Sequence, residues 1–453
     1  MLRFGTDGVR GHAFTELTPE YVTALGRAAG AVLGGGRWII GRDSRESGEV
    51  FEQALAAGLA TAGASVESAG VAPTPAIAHL GSSLGVPTAV VTASHNPYTD
   101  NGVKLFAPGG RKLAADIEAR IEAALAAALG AARSPAGSTQ PANVGAEVLL
   151  DDRAAPRNRA LLDDYVRHVV SLFPAGGLAG LRLALDCANG AMSEVAPLVA
   201  RTLGAEVQVI NAAPTGRNIN DHCGATSPAG LAAAVVAGGC HMGLAFDGDG
   251  DRVIAVDHLG NVVDGDRLIA LAALQLRDAG ELTHDTVVVT VMTNLGFRHA
   301  MADAGIGLVE TAVGDRYVLE ALEAGDFALG GEQSGHIVYR HLATTGDGLL
   351  AGLRLAEYVH DHHRSLADLA GDVMTSYPQV LVNVRVAERH PHVADELAAE
   401  IAAAERSLGG EGRVLVRASG TEPLVRVMVE AATAELASAT ADRLAAVART
   451  RFG

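Results

Sequence analysis

A chain of 453 residues is too long for a single hydrophobic core, and its length predicts roughly three or four domains. Acids outnumber Lys plus Arg by 52 to 35, for a formal net charge of −17, and aromatic residues make up only 4 %. Such a chain is a poor partner for nucleic acid, and a small anionic substrate would need a locally basic pocket. The N-terminus lacks the apolar core of a signal peptide and no long apolar stretch occurs, so we expect no membrane insertion and a cytoplasmic location.

Three segments follow one plan, in which an apolar strand, a turn, an Ala-rich helix ending at a glycine and a second strand succeed one another. The first strands are residues 38–41, 181–186 and 287–291. The plan predicts similar α/β units in separate domains. Because every α/β protein contains such units, triplication of one unit stays open at this point.

Changes in composition predict where the domains end. Residues 130–160 form a polar, Pro-containing linker, and a new strand follows Arg252. After about residue 370 the pattern changes to a helix over 392–407, two strands over 413–417 and 424–430, and a helix over 435–450. We therefore predict domains at 1–150, 151–253, 254–368 and 369–453, the last of them α+β.

Ser94 is the first residue with a pattern that indicates chemistry. It follows the apolar strand 89–91 and precedes His95 and the turn-forming pair Asn96-Pro97, so we expect it at a strand end, with Lys104 close behind. A Ser/His hydrolase would need its base from elsewhere in the fold, and the G-x-S-x-G elbow is absent. The local pattern leaves a nucleophile and a structural turn both open.

The acidic loop Asp247-Gly-Asp249-Gly-Asp251-Arg252 is the strongest signal in the chain, because three alternating carboxylates can converge on one hard cation. A calcium EF-hand would need Gly at its sixth position and Glu at its twelfth, where this loop has Arg252 and His258. Since a guanidinium beside the acids suits a phosphate oxygen, the loop predicts Mg²⁺ with a phosphorylated ligand. A charged turn after a buried strand is the alternative.

Two later loops offer groups that bind polar ligands. Glu332, Ser334 and His336 lie between glycines, and this mixture of acid, hydroxyl and imidazole suits sugar hydroxyls, although Gly-rich polar loops are common.

The second of these loops is rich in arginine and hydroxyl groups. It contains the following residues: Arg417, Ser419, Gly420, Thr421 and, on the next strand, Arg426. Two guanidiniums, two hydroxyls and the amides of a tight turn are what a phosphate requires, while an ordinary surface turn with arginines remains the alternative.

Taken together and in this order, these loops resemble those of the α-D-phosphohexomutase superfamily, which carry a phosphoserine, a metal ion, the sugar and a phosphate. The opening residues 4–11, the stretch 313–318 and the sequence Glu-Gln-Ser-Gly-His at 332–336 resemble the branch that acts on glucosamine phosphates. Ala418 departs from the proline more usual there. The resemblance implies three similar mixed-sheet α/β domains and a C-terminal α+β domain, like that of TATA-box-binding protein, around a central cleft.

The resemblance also implies roles for the site residues. Ser94 would be carried as phosphoserine and would share one Mg²⁺ per subunit with Asp247, Asp249 and Asp251. Four residues would line the transfer site, with His95 or Lys104 handling the hydroxyl proton: Arg10, His95, Lys104 and Arg252. Glu332, Ser334 and His336 would hold sugar hydroxyls. The phosphate that is not transferred would be held by Arg417, Ser419, Gly420, Thr421 and Arg426.

The implied activity is interconversion of glucosamine 6-phosphate and glucosamine 1-phosphate through a 1,6-bisphosphate, in the supply of UDP-N-acetylglucosamine. Glucose or glucosamine 1,6-bisphosphate would serve as activator, and a homodimer is expected from the family habit. The rivals are a superfamily member acting on mannose or glucose phosphates, a haloacid-type phosphatase with Asp247 as nucleophile, and a calcium-binding protein without turnover.

Overall fold

The computed structural model describes residues 2–5, 7–131, 155–419 and 423–453. These residues form two compact units. The first comprises residues 1–291 and 307–370, and the second comprises residues 292–306 and 371–453. Among the described residues, no helix is both long and apolar enough to cross a membrane.

The first unit begins with a six-stranded mixed sheet. Its elements in chain order are β1 (Val9–His12), α1 (Pro19–Leu33), β2 (Arg37–Arg42), α2 (Gly48–Thr61), β3 (Ser65–Val71), α3 (Thr74–Leu84), β4 (Thr88–Val91), β5 (Asp100–Ala107), β6 (Arg111–Lys112) and α4 (Ala115–Ala131). The strand order is β1-β5-β4-β2-β3, with β6 beside β5. Strands β2 and β4 are apolar throughout most of their length because helices cover both faces, and Trp38, Ile39 and Ile40 are fully buried.

The second sheet has five strands in the order β11-β10-β9-β7-β8. Its elements are α5 (Ala155–Ser171), β7 (Arg182–Asp186), α6 (Met192–Thr202), β8 (Glu206–Ile210), α7 (Ala229–Gly238), β9 (Met242–Phe246), β10 (Val253–Asp257) and β11 (Val262–Val263). Because β10 and β11 pair with β9, the predicted boundary between residues 253 and 254 falls inside this sheet. Helices α4 and α5 also take both ends of the predicted 130–160 linker, and the rest of that linker lies outside the described residues.

The third sheet has four strands in the order β13-β12-β14-β15. The elements of this stretch are α8 (Gly265–Asp278), β12 (Thr286–Thr290), α9 (Leu295–Asp303), β13 (Gly307–Thr311), α10 (Asp315–Ala324), β14 (Leu329–Gly331), β15 (Ile337–Tyr339), α11 (Gly348–His362) and α12 (Leu366–Val373). Helix α9 belongs to the second unit. There the Asn294 carboxamide donates to the Tyr377 carbonyl at 2.9 Å, and Glu430 accepts from the Leu295 amide at 3.1 Å.

The second unit also contains a three-stranded antiparallel sheet in the order β16-β18-β17. Its elements are β16 (Gln379–Arg385), α13 (Val393–Glu396), α14 (Ala398–Leu408), β17 (Arg413–Ala418), β18 (Leu424–Glu430) and α15 (Ala434–Phe452). The two predicted strands and the predicted helix over 435–450 are present, and β16 is an additional strand. The helix predicted over 392–407 is divided at Leu397 into α13 and α14. One hydrophobic core, with Val425, Val427 and Leu444 at its centre, joins sheet and helices. The predicted fold class of three mixed-sheet α/β domains and a C-terminal α+β domain is confirmed.

The first three sheets have one topology in common. In each, a central strand is parallel to two neighbours, and the second of these neighbours is antiparallel to the next strand in sequence. The corresponding antiparallel pairs are β4 with β5, β9 with β10 and β14 with β15. The repeated plan that the sequence predicts therefore extends to strand order and direction.

Candidate active site

Three of the four predicted functional loops occupy equivalent places in the three sheets. The Ser94 loop connects β4 to β5, the acidic loop connects β9 to β10, and residues 332–336 connect β14 to β15. Each loop thus leaves the carboxyl end of a strand that has a parallel neighbour, the position where α/β sheets bind ligands. The shared topology explains how loops far apart in sequence come to hold related parts of one site.

The Ser94 loop is held in an unusual conformation. Ser94 has a φ of 53°, in the left-handed region that residues with a Cβ seldom adopt. The buried Arg45 guanidinium stabilises it by donating to the Ser94 carbonyl at 2.9 Å and the Asn96 carbonyl at 2.8 Å. Asn220 donates to the same Ser94 carbonyl at 2.9 Å. Arg45 therefore stabilises the conformation of the Ser94 loop, a role that its sequence context did not reveal.

The Ser94 side chain points to the acidic loop. Its hydroxyl donates to Asp247 Oδ2 at 2.5 Å, and its Oγ lies 3.4 Å from His95 Nδ1. Burial raises the pKa of Asp247 well above its ordinary value, and Asp251 and Asp249 raise it further. Burial lowers the pKa of His95 to about 4, helped by the positive charges of Arg252 and Arg10. His95 is therefore neutral beside the serine.

The acidic loop brings its three carboxylates together. Asp247, Asp249 and Asp251 are buried, and each offers an oxygen within 4.8 Å of the others. Asp249 Oδ2 accepts from the Thr74 hydroxyl at 2.6 Å. Close packing requires glycine between the acids, since a Cβ on Gly248 would lie 2.7 Å from the Ser94 carbonyl oxygen, and Gly250 has a φ of 74°.

Lys104 places a positive charge among these acids. Its Nζ lies 2.8 Å from Asp249, 2.7 Å from Asp251 and 2.8 Å from Asp7. Although burial opposes it, the attraction of these carboxylates raises the pKa of Lys104 well above its ordinary value. Burial likewise opposes ionisation of Asp251, but Lys104 and His336 hold its pKa well below the usual range.

The carboxylate oxygens of the loop that lack hydrogen-bond partners indicate whether it suits a metal ion. Among the described residues, Asp249 Oδ1 and Asp251 Oδ1 are buried without a hydrogen-bond partner. The charged neighbours of Asp251 Oδ1 lie beyond hydrogen-bond distance, with His336 Nδ1 at 3.7 Å and Arg252 Nε at 3.9 Å. Buried acceptors of this kind are costly unless a cation or donor satisfies them. Three carboxylates and a hydroxyl are the oxygen ligands that hard divalent cations prefer, so the donor set fits such an ion.

A cavity of about 390 Å³ opens beside this cluster. Its lining includes five predicted residues: Arg10, Asp251, Arg252, Glu332 and His336. Glu332 Oε1 accepts from the Gly314 amide at 2.9 Å, which fixes the carboxylate in the wall. His336 lies between Asp251, 3.7 Å from Nδ1, and Asp315, 4.0 Å from Nε2. Burial would lower the pKa of His336, but these carboxylates raise it. Ser334 is exposed at the tip of its loop.

Three side chains of the site were absent from the predicted set. Asp7 and Asp315 line the cavity, and Lys112 bridges them. Asp7 and Asp315 lie in stretches 4–11 and 313–318, so their motifs were visible even though their roles were not. Lys112, on a two-residue strand, has no local signal of this kind.

The predicted phosphate loop lies in the second unit. Arg417, the next-to-last residue of β17, lies directly opposite Arg426 of β18. Burial lowers the pKa of Arg417, and the positive charge of Arg426 lowers it further. Ser419 is buried and its amide donates to the Leu424 carbonyl at 2.8 Å. Gly420 and Thr421 lie outside the described residues.

Family models match the chain in the order of its sheets. The phosphoglucomutase/phosphomannomutase models match as alpha/beta/alpha domains I, II and III over residues 1–130, 163–260 and 264–377, and as the C-terminal domain over 381–447. The chain belongs to the phosphoglucomutase/phosphomannomutase family. It is an enzyme of the phosphohexomutase class, an isomerase that moves a phosphoryl group within a sugar phosphate.

Several relatives that are similar to nearly the whole chain are phosphoglucosamine mutases. The phosphoglucosamine mutase of Rhodococcus opacus (strain B4) is 50 % identical over 98 % of both chains, and that of Kineococcus radiotolerans is 51 % identical over 99 % of both. Among solved structures, a phosphoglucomutase/phosphomannomutase family protein from Burkholderia thailandensis aligns with a TM-score of 0.78 at 25 % identity, covering 98 % of this chain and 97 % of that one.

Proposed function

We propose that this enzyme interconverts glucosamine 6-phosphate and glucosamine 1-phosphate through a 1,6-bisphosphate held in the site. The observation that carries the chemistry is the Ser94 hydroxyl, hydrogen bonded to Asp247 and next to two more buried carboxylates. The preference for the glucosamine ester rests on the phosphoglucosamine mutases that are half identical to this chain over nearly its full length.

Asp247, Asp249 and Asp251, with an oxygen on Ser94, would hold one Mg²⁺ per subunit. When bound, the ion would neutralise negative charge on the phosphoryl group in transit. Lys104 supplies further positive charge at Asp249 and Asp251. Glucose 1,6-bisphosphate or glucosamine 1,6-bisphosphate would charge an enzyme whose Ser94 is not phosphorylated.

In the forward direction, the Ser94 Oγ–P bond breaks as the bond from phosphorus to O1 of the sugar forms; the O1 proton passes to a base, and Ser94 Oγ takes up a proton. After the bisphosphate has turned over, the O6–P bond breaks, Ser94 Oγ loses its proton as Oγ–P forms again, and O6 takes up a proton. His95 Nδ1 lies 3.4 Å from Ser94 Oγ, whereas Lys104 Nζ forms ion pairs with three carboxylates. This favours His95 as the group that accepts the proton.

The other predicted residues would bind the sugar phosphate. Arg10 and Arg252 would stabilise the phosphoryl group in transit, and Glu332, Ser334 and His336 would hold ring hydroxyls. The phosphate that is not transferred would be held by Arg417, Ser419, Gly420, Thr421 and Arg426. Homodimer formation and a cytoplasmic location remain predictions from the sequence.

Phosphorus-31 NMR of the purified protein tests the proposal directly. The sample contains Mg²⁺, a trace of glucose 1,6-bisphosphate and glucosamine 6-phosphate, with mannose 6-phosphate and glucose 6-phosphate in parallel. The fastest conversion should be that of glucosamine 6-phosphate to its 1-phosphate. Faster turnover of mannose or glucose phosphate would make the enzyme a phosphomannomutase/phosphoglucomutase, and release of free phosphate from every ester would favour the phosphatase alternative.

A further inference from the structure

Lysine is rare in this chain. Its only two lysines are Lys104 and Lys112, although Lys and Arg together number 35. Both lysines are largely buried beside the cavity, and both contact Asp7. An ammonium is a compact point charge that can sit between several carboxylates, whereas a planar guanidinium needs room for its fork. This chain, which otherwise uses arginine, therefore has lysine at the two positions where a compact charge lies between carboxylates.

Lys112 joins the phosphoryl-transfer end of the cavity through Asp7. Its Nζ lies 2.8 Å from Asp7 Oδ1, while Asp7 Oδ2 contacts Lys104 Nζ at 2.8 Å and Arg10 at 2.6 Å. Although burial opposes it, the carboxylates of Asp7 and Asp315 raise the pKa of Lys112. The Lys112 charge thus helps to fix the carboxylate that orients Lys104 and Arg10.

Lys112 joins the sugar-binding end through Asp315. Its Nζ forms a close ion pair with Asp315, the first residue of α10. The preceding residue, Gly314, donates its amide to Glu332. The next residue, Arg316, forms an ion pair with Glu118 of α4. The start of α10 is therefore tied to the β6–α4 segment at two successive residues.

We propose that Lys112 is a positioning residue of the mutase reaction. It holds Asp7 and Asp315 at one spacing, and so sets the distance between the phosphoryl-transfer groups and the Glu332 carboxylate. The proposal rests on the proposed function, because a sugar phosphate must reach both ends of the cavity at once. A displacement of about 1 Å between reacting groups can lower a rate about 100-fold.

The neighbouring Arg111 offers a matched control. It lies on the same two-residue strand and pairs with Glu323 of α10 at 3.3 Å, but with 67 % and 53 % of the two side chains exposed. The reciprocal substitutions Lys112→Arg and Arg111→Lys keep the net charge, and Lys112→Met and Arg111→Met remove the same charge at each site. Since exposed ion pairs contribute little, both Arg111 variants should stay within about twofold of the parent enzyme.

Steady-state kinetics should show kcat/KM lowered about 100-fold by Lys112→Met and about tenfold by Lys112→Arg, with most of the loss in kcat. A purely structural role would lower the unfolding temperature and leave kcat and KM per folded molecule unchanged. If Lys112→Met does not fold, Asp315→Asn replaces it and should lower kcat by about tenfold. Variants of Lys112 that fold and retain the parent kcat/KM would overturn the proposal.

A readout without turnover separates this proposal from the proposed function. Hydrogen exchange of the peptide that covers residues 313–318 should become faster in Lys112→Met and remain unchanged in Arg111→Met. If the parent enzyme converts none of the three hexose phosphates, the proposed function fails whatever the exchange shows. If exchange of this peptide is the same in both variants, the positioning role of Lys112 is wrong.

Discussion

The acidic loop and the turn between β17 and β18 arrange their charges in opposite ways. In the acidic loop each buried carboxylate has a cation or a hydroxyl beside it, and Lys104 contacts two of the three directly. On strands β17 and β18, Arg417 and Arg426 lie opposite each other, and neither guanidinium forms an ion pair with another described residue. Arg426 Nε is also buried without a hydrogen-bond partner there.

The two regions therefore differ in whether neighbouring charged side chains attract or repel one another. In the acidic loop, Lys104 compensates the burial of the carboxylates, and its removal would leave them buried without that charge. A metal ion bound there would have to share these carboxylates with Lys104. Like charges opposite each other on neighbouring strands destabilise the sheet until an anion binds between them. We therefore expect substitutions in the acidic loop or at Lys104 to lower the activity of the enzyme or its stability without Mg²⁺. Substitutions of Arg417 or Arg426 should weaken substrate binding and raise the free energy of unfolding.

The largest effect should come from Ser94→Ala, because it removes the hydroxyl that is proposed to carry the phosphoryl group. Mutase turnover should fall by about 10³-fold or more, measured by phosphorus-31 NMR at saturating glucosamine 6-phosphate. Ser83→Ala, an exposed serine on α3, is the matched control and should retain full activity. Activity of Ser94→Ala within tenfold of the parent would show that the phosphoryl group resides elsewhere.

Lys104→Met tests whether the acidic end depends on its internal cation. Removing the ammonium leaves Asp249, Asp251 and Asp7 with less positive charge, so the metal-free protein should lose about 3–5 kcal/mol in urea unfolding with chelator present. Added Mg²⁺ should restore part of this loss and should stabilise the variant more than the parent, because a ligand that binds only the folded state adds to its stability. Equal stabilisation of both proteins by Mg²⁺ would contradict competition between Lys104 and the metal ion.

Arg417→Met tests the pair of arginines that lie opposite each other on β17 and β18. Loss of the guanidinium that is proposed to bind phosphate should lower kcat/KM by roughly 10–100-fold, mainly through KM. Relief of the repulsion from Arg426 should at the same time raise the free energy of unfolding by roughly 0.2–1 kcal/mol. Arg385→Met, at an exposed position of β16, should change neither quantity. A variant that loses stability together with affinity would mean that the turn is already balanced without its anion.

The two regions also differ in how far the sequence predicts them. The acidic loop was predictable because its three carboxylates lie within five residues of one another, and the chemistry of alternating acids and glycines is local. Lys112 and Arg45 were not, since their partners lie far along the chain and only the fold brings them together. Strand β16 was missed for a related reason: it is half-exposed and pairs with the distant β18. The three-sheet plan was predicted from strand and helix order, but not that its functional loops are topologically equivalent.

The smallest expected effect is a change of stability with pH. It concerns Asp347, a buried carboxylate of the first unit whose charge is not balanced as the charges of the acidic loop are. Asp347 caps α11, accepts the Tyr165 hydroxyl at 2.8 Å and the Leu350 amide at 2.9 Å, and both donors are uncharged. Burial raises its pKa to about 6, whereas Lys104 and His336 depress the pKa of Asp251.

A raised carboxyl pKa means that the folded state binds the proton more tightly than the unfolded state. The contribution of Asp347 to stability therefore falls as pH rises through the window from its unfolded pKa, near 4, to about 6. Between about pH 4.5 and 6.5 the parent should lose roughly 1–2 kcal/mol relative to Asp347→Asn, measured as the difference between their urea unfolding free energies at each pH. Asp221→Asn, at an exposed position, should show no such trend. A constant difference for Asp347→Asn would mean that the carboxylate is already stabilised in its charged form, as Asp251 is, and that burial alone does not set the two carboxylates apart.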